Sequence, residues 1–255
     1  MIDFIRELAA AAGKLAAEGR RTLSEAEVHT KRSSADLVTA VDRRVEEFIC
    51  AEIRRRYPGH GIFGEETGHS GDAAEYCWII DPIDGTTSFV HGFPYYSVSI
   101  ALQHRGRTIA GAVCAPELGE LFHAEAGKGA FRNGGRLRVS ATGELPRALL
   151  ATGFGCVRAR MRPDNFEYLP EITRRVQDIR RCGSAALGLC NVAAGRFDGY
   201  WEFALQPYDI AAGVLILEEA KGKVTDIRGG SDWPAHGFLA TNGALHTALL
   251  DCFRR

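Results

Sequence analysis

The stretch Trp78-Ile79-Ile80-Asp81-Pro82-Ile83-Asp84-Gly85-Thr86-Thr87 constrains this chain more than any other, because an apolar run feeds directly into two carboxylates, a glycine and two hydroxyls. Oxygen ligands gathered at the end of a buried strand suit a hard divalent cation. A strand rigid enough to be buried holds Asp81, Pro82 is expected to stop the ladder, and the three-residue step to Asp84 lets both carboxylates enter one pocket. Gly85 permits close backbone approach. A helix starting near Thr86 would aim free N–H groups and the positive end of its dipole at an anion, phosphate being the natural candidate. The pattern points to metal-dependent phosphate chemistry.

The 255 residues suffice for one large domain or two small ones, and a 45% hydrophobic content supplies a substantial core. Lys plus Arg number 31 against 32 Asp plus Glu, so the formal charge of -1 leaves no broad basic field for nucleic acid or an anionic membrane. Arg54-Arg55-Arg56 has no interleaved aromatics and reads as a solvated helix end. Seven cysteines without a C-x-x-C pair argue against a disulfide framework and a thiolate zinc site, and fit a reducing cytosol. The N-terminus carries Asp3 and Glu7 in an amphipathic pattern rather than a targeting signal, and no run approaches the ~18 apolar residues of a membrane span. A cytoplasmic location is expected.

Ile2, Ile5, Leu8, Ala9, Ala12, Leu15 and Ala16 repeat at helical spacing, as do Val38, Val41, Val45, Phe48, Ile49 and Ile53. Short strands follow Pro58-Gly59: Ile62-Phe63, Cys77 to Ile80, the alternation of Tyr96, Val98, Ile100 and Leu102, then Thr108 to Cys114, Leu121 to Glu125 and Leu137 to Val139, with Asn133-Gly134-Gly135 as a tight turn. These predict a hairpin-linked antiparallel sheet. From about residue 145 strands and helices alternate. Strands are expected near Leu149 to Gly153, Ile179, Gly199 to Phe203, Lys223 to Asp226 and Phe238 to Thr241. Helices fall near Phe166 to Val176, Gly183 to Ala194, Ile210 to Ala220 and from Ala244 onward. Such alternation implies a mostly parallel C-terminal sheet covered by helices, hence an α/β sandwich layered αβαβα. A soft boundary near 140 to 147 divides an N-terminal α+β part, 1–144, carrying most of the candidate ligands, from a C-terminal α/β part, 145–255, contributing Asp209 and the substrate pocket.

Further acids compete with structural explanations. Gly64-Glu65-Glu66 stands where a strand enters a turn-rich loop. Asp209 opens an apolar helix, where an acid is also a good N-terminal residue, and Thr39-x-x-Asp42 is a capping-box pattern with Asp in place of Glu or Gln. Electrostatics decides if they converge: two like charges ~4 Å apart repel by roughly 4 kcal/mol at an effective dielectric of about 20, so clustered carboxylates require cations. Mg²⁺ prefers octahedral oxygen ligation, and paired metals suit in-line phosphoryl transfer. Other chemistries lack support. The eight histidines form no H-E-x-x-H or H-x-x-x-H pair, His91 reads as a surface residue, Gly153-x-Gly155 has too few glycines for a dinucleotide loop, and Cys182 fits a packing role.

Taken together, Asp36 to Asp42, Gly64-Glu65-Glu66, Trp78 to His91 and Tyr208 to Gly213 resemble the inositol monophosphatase family, the magnesium-dependent, lithium-sensitive phosphatases, over nearly the whole chain. The resemblance implies that Glu65, Asp81 and the carbonyl of Ile83 hold one Mg²⁺, that Asp81, Asp84 and Asp209 hold a second, and that a weaker third leans on Glu65; Mn²⁺ is expected to substitute. It further implies hydrolysis by a metal-activated water without a phosphoenzyme, Thr86 and Asp42 taking or relaying the proton and Glu66 supporting them. Gly85 and Thr86 N–H groups would receive phosphate. Ala185 and Glu202, with Asp84 and Asp209, would line the polyol pocket, and Lys31 would sit on a loop near the metals. A homodimer is implied, with a small phosphorylated polyol or sugar as partner and neither nucleic acid nor membrane.

Ser88, Tyr208 and Lys221 depart from the family's usual asparagine, tryptophan and glycine, and none removes a ligand. Thr87 stands where related histidinol-phosphate and 3'-phosphonucleotide phosphatases often carry a basic residue. Inositol 1-phosphate is therefore the expected substrate and fructose 1,6-bisphosphate the nearest rival, with the loop from Thr67 to Glu75, Ser184 and Glu202 governing the choice. A macromolecular binding partner with vestigial catalysis is the non-enzymatic alternative, opposed by the mutual repulsion a pure scaffold would have no reason to retain.

Overall fold

In the computed structural model the described residues are 1–30, 37–71 and 74–254. Period-two alternation along Tyr76–Asp84 organises the interior: Trp78 and Ile80 face one hydrophobic cluster and Ile79 another. The first is closed by helices Ile2–Thr22 and Ala40–Arg56, which contribute Ile5, Leu8, Ala12, Val45 and Ile49 from stripes at helical spacing. The second is filled by Ala185–Ala193 and Pro207–Glu219, helices whose surroundings are apolar nearly all round because they lie between two sheets. Beyond the second sheet, Tyr168 and Ile172 of Asn165–Arg175 and Leu249 and Leu250 of His246–Asp251 pack on Leu150, Trp201 and Leu239. The layers are αβαβα, as the sequence predicts.

The larger sheet has eight strands, ordered Gly135–Arg136, Gly129–Arg132, Glu120–Glu125, Arg107–Ala115, Ser97–His104, Tyr76–Asp84, Gly61–Gly64 and Gly68–Ser70. All its pairings are antiparallel except that of Gly61–Gly64 with Tyr76–Asp84, which is parallel. The smaller sheet has five strands, ordered Asp178–Arg180, Leu149–Thr152, Gly199–Glu202, Phe238–Thr241 and Lys223–Asp226. Val28–Thr30 and Leu37–Thr39 form a separate antiparallel pair.

Several local expectations are corrected. The C-terminal sheet is mixed rather than mostly parallel: its first three strands are parallel, but Phe238–Thr241 runs antiparallel to both of its neighbours. Gly199–Glu202 and Lys223–Asp226 are parallel to each other across the helix that joins them, and the return strand is inserted between them. Leu137 to Val139 is no strand; Leu137 still donates to Ala130 O, but Val139 donates to Ala220 O as the chain leaves the sheet edge for the end of the Pro207–Glu219 helix. The turn at Asn133-Gly134, both at positive φ, instead joins Gly129–Arg132 to Gly135–Arg136. Val38 belongs to a short strand, because the Thr39 hydroxyl accepts from the Val41 and Asp42 N–H groups and starts the helix at Ala40. Pro82 does not end its strand: between the pairs Asp81–Ser99 and Asp84–Ser97, two residues, Pro82 and Ile83, oppose the single Val98, which is a bulge.

His246 is 1% exposed, its Nε2 and Nδ1 each 2.9 Å from a threonine hydroxyl, Thr225 and Thr241. Burial, with Lys223 adding repulsion, lowers its pKa to about 4. The unfolded chain binds the proton near pH 6.5 and the folded chain only near 4, so stability falls as the pH drops through that interval and levels off below it. Urea unfolding at pH 7 and pH 4.5 should reveal a penalty approaching ~3 kcal/mol in the natural chain that is missing from His246→Gln. Equal pH slopes in the two proteins would contradict the assignment.

Candidate active site

The ends of several elements from both sheets meet at a cleft with about 190 Å³ of space, lined by Glu65, Asp81, Asp84, Glu202 and Asp209 together with Thr86, Thr87, Thr152 and Arg181. Parallel pairing places two of the acids side by side. Gly64 lies opposite Ile80, and the Glu65 N–H donates to Ile80 O at 3.1 Å, so Glu65, just past its strand, comes out beside Asp81 at the same end of the sheet. An antiparallel pairing would send the two chain ends in opposite directions.

The bulge handles the next acid. With strict alternation Asp81 and Asp84 would point to opposite faces, but the extra residue turns Ile83 into the cluster that holds Ile80 and leaves both carboxylates on the cleft side. Asp81 Oδ1 accepts the Ile83 N–H at 3.0 Å. Asp84 reaches the start of the Ala185–Ala193 helix, accepting from Ser184 Oγ at 2.5 Å, Ala186 N at 2.7 Å and Ala185 N at 3.2 Å. Those free donors and the helix dipole favour the anionic form.

Asp209 comes from the other side, in the first turn of Pro207–Glu219, where its Oδ2 accepts the Gln206 N–H at 2.6 Å. It therefore does cap a helix, and it also meets the other acids: one oxygen from each of Asp81, Asp84 and Asp209 lies within 4.8 Å of the others. Asp42 combines two roles similarly. Buried in its capping box, it takes the Thr39 N–H at 2.8 Å and the Thr39 hydroxyl at 2.6 Å on Oδ2. Its Oδ1 lies 3.5 Å from Thr86 Oγ1, whose shorter bond, 3.1 Å, goes to Ile83 O.

Electrostatic strain follows from this packing. Burial pushes Asp81 well above the usual carboxylate range, and Glu65, Asp84 and Asp209 add repulsion. Asp209 is raised likewise, by burial first and then by Asp84, with Gln206 N–H pulling the other way. Burial takes Asp84 to about 7 despite its bonds to Ser184, Ala186 and Ala185. Asp42 also reaches about 7, burial outweighing the bonds to Thr39. An oxygen-only donor set with this much unfavourable charge fits a hard divalent cation and suits neither a thiolate nor an imidazole metal.

The other candidates are distributed around this cluster. Gly85, at φ 96°, precedes the short helix Thr86–Val90, and a Cβ there would come 3.0 Å from Gly183 O and Tyr95 O. Ala185 and Glu202 line the cleft, Glu202 accepting from Gly155 N at 3.0 Å and from the Tyr200 hydroxyl. Glu66 is half-buried beside Glu65, its backbone N–H bonded to Glu46. Lys31 lies outside the described residues. Sequence reasoning missed Arg181, the one basic side chain among the described residues lining the cleft, for which no motif gave a signal. It also dismissed Gly153-x-Gly155, whose glycines prove to make room for Glu202: a Cβ on Gly153 would lie 2.1 Å from its carboxyl.

The chain matches the profile of the inositol monophosphatase family over residues 1–255. It belongs to that family. It is 43% identical over 240 residues to a protein of Pasteurella multocida named Nus factor SuhB, covering 94% of this chain and 90% of that one. It is 40% identical over 226 residues to an inositol-1-monophosphatase of Mesorhizobium japonicum, covering 88% and 85%. The solved inositol monophosphatase from Anabaena superposes with a TM-score of 0.89 at 39% identity, covering 99% of this chain and 94% of that one. Phosphatase chemistry with divalent metal is typical of the inositol monophosphatase family, and this member carries an acidic cluster of matching chemistry. Its departures at Ser88, Tyr208 and Lys221 leave all the clustered acids in place.

Gly153→Ala should force the Glu202 carboxyl out of its place, since the new Cβ overlaps it and the strand limits retreat. A loss of ~1–3 kcal/mol in thermal or urea unfolding is expected, with Glu202 moved in a crystal structure of the variant. Unaltered stability with Glu202 still bonded to Gly155 would show the contact to be yielding.

Proposed function

We propose that this member of the inositol monophosphatase family hydrolyses a small phosphate monoester of a polyol, inositol 1-phosphate before others. The observation that carries the reading is the meeting of Asp81, Asp84 and Asp209 beside the Thr86 hydroxyl. Glu65, Asp81 and the Ile83 carbonyl are assigned to one Mg²⁺ and Asp81, Asp84 and Asp209 to another, with Glu65 also serving a weaker third; Mn²⁺ substitutes. When bound, the metal supplies charge neutralisation at the phosphate and a water acidified enough to attack it.

The chain's own groups do the rest. Thr86, with acceptors at Ile83 O and Asp42, is suited to hold and pass on the proton of the attacking water, and Asp42, raised to about 7 by burial, is a fitting recipient near neutral pH. Glu66 supports them as a nearby acid. Backbone N–H groups of Gly85 and Thr86 are assigned to phosphate oxygens. Ala185, Glu202, Asp84 and Asp209 are assigned to the leaving polyol, whose hydroxyls suit carboxylate acceptors, and Lys31 to the approach of the anion. We place the protein in the cytoplasm on the strength of its seven free thiols.

Asp81→Asn and Asp84→Asn should each lower turnover by at least ~1000-fold while circular dichroism stays unchanged, because each removes a charged ligand from the assigned metal set. Normal hydrolysis by either variant defeats the site assignment. A panel of inositol 1-phosphate, fructose 1,6-bisphosphate, histidinol phosphate and adenosine 3',5'-bisphosphate, with and without Mg²⁺, tests the substrate. Preference for any of the last three replaces the inositol reading.

The relative named Nus factor SuhB favours a second reading, in which the chain also serves a macromolecular partner. Complementation separates the two. If Asp81→Asn restores growth to a strain lacking this chain, the partner role suffices; if it fails where the natural chain succeeds, hydrolysis is needed.

A further inference from the structure

Glu46 is fully buried and belongs to no part of the cleft lining. It sits one helical turn beyond Asp42 on Ala40–Arg56, on the same face of that helix. Its carboxyl group is directed at the turn after Gly61–Gly64, where Oε2 accepts the Glu66 N–H at 3.0 Å and Oε1 accepts the Thr67 N–H at 2.7 Å. Gly64 makes that approach possible: a Cβ on Gly64 would lie 2.3 Å from Glu46 Oε1. Hence Glu65 is held from two sides, by its own N–H bonded to Ile80 O on one flank and by Glu46 on the next two residues.

We infer that Glu46 is a positioning residue for Glu65, fixing the turn so that the Glu65 carboxylate meets Asp81 in the orientation that binds a divalent cation. The inference rests on the assignment of Glu65 to metal made above. One helix face thereby serves two loops: Asp42 faces Thr86 after one strand and Glu46 clamps the Glu65 turn after the neighbouring strand. A carboxyl group is the side chain that accepts both N–H bonds at once. Glutamine keeps the shape but offers an amide N–H₂ to one of the two donors. Groups that orient a ligand without touching the metal typically govern 10–100-fold of metal affinity.

The test is direct Mn²⁺ binding, followed by the loss of the free-ion electron paramagnetic resonance signal, on the natural chain, Glu46→Gln and Gly64→Ala, each confirmed folded by circular dichroism at low temperature. Glu46→Gln should weaken Mn²⁺ binding by about 10-fold or more, raise the Mg²⁺ requirement for hydrolysis in step, and leave KM for the phosphate ester within twofold at saturating metal. Gly64→Ala, which displaces Glu46 without changing it, should do the same. A lowered melting temperature with unchanged Mn²⁺ affinity in either folded variant overturns the inference and makes Glu46 a turn clamp only. Failure of the natural chain to bind Mn²⁺ overturns the metal assignment as well, so the two failures are distinct.

Discussion

Asp81, Asp84 and Asp209 bring an oxygen each within 4.8 Å of one another in a cleft where burial raises the pKa of all three, and the rest of the structure can be understood as what makes that tolerable. Repulsion of several kcal/mol per pair has to be offset by donors, by protonation or by cations. Donors are partly supplied. Asp84 has three, from Ser184 and the first two residues of the Ala185–Ala193 helix that it caps, Asp81 has the Ile83 N–H and Asp209 the Gln206 N–H. Asp81 remains well above the ordinary carboxylate range even so, which is the physical opening for a divalent ion.

Holding these groups requires elements from both sheets. Asp81 and Asp84 lie in the last part of strand Tyr76–Asp84 of the large sheet, Asp209 starts a helix between the sheets, and Glu202 ends a strand of the small one. The packing of Ala185–Ala193 and Pro207–Glu219 against each other and against both sheets keeps these ends in register. Substitutions in that middle layer are therefore substitutions in the support of the site, and the dense cluster of Ala186, Leu189, Ala212 and Ile216 leaves little room for them.

Structural and sequence likeness to the inositol monophosphatase family runs along the whole chain, and relatives bearing both enzymatic and factor names match it to similar extents. The buried acids bear on that duality. A surface that only binds a partner has no use for carboxylates kept above their ordinary pKa, whereas phosphate chemistry with metal depends on them. Fold alone does not choose between these roles, since one architecture supports many functions and the site has to carry the argument.

Local patterns along the chain were enough to read the layered α/β class, most element positions, and Asp81, Asp84, Glu65 and Asp209 as acids near element ends, because periodicity and turn residues are properties of neighbouring residues. They also revealed the capping box of Thr39 and Asp42 without showing that the same aspartate faces Thr86. Tertiary structure alone decided the parallel pairing that sets Glu65 beside Asp81, the bulge that turns Asp84 to the same side, the inserted antiparallel strand Phe238–Thr241, and the presence of Arg181 and Glu46 near the site. Each of these depends on which distant segments lie next to one another. Strand direction, register and the approach of a buried carboxyl to Gly64 arise only once the packed layers bring those segments together.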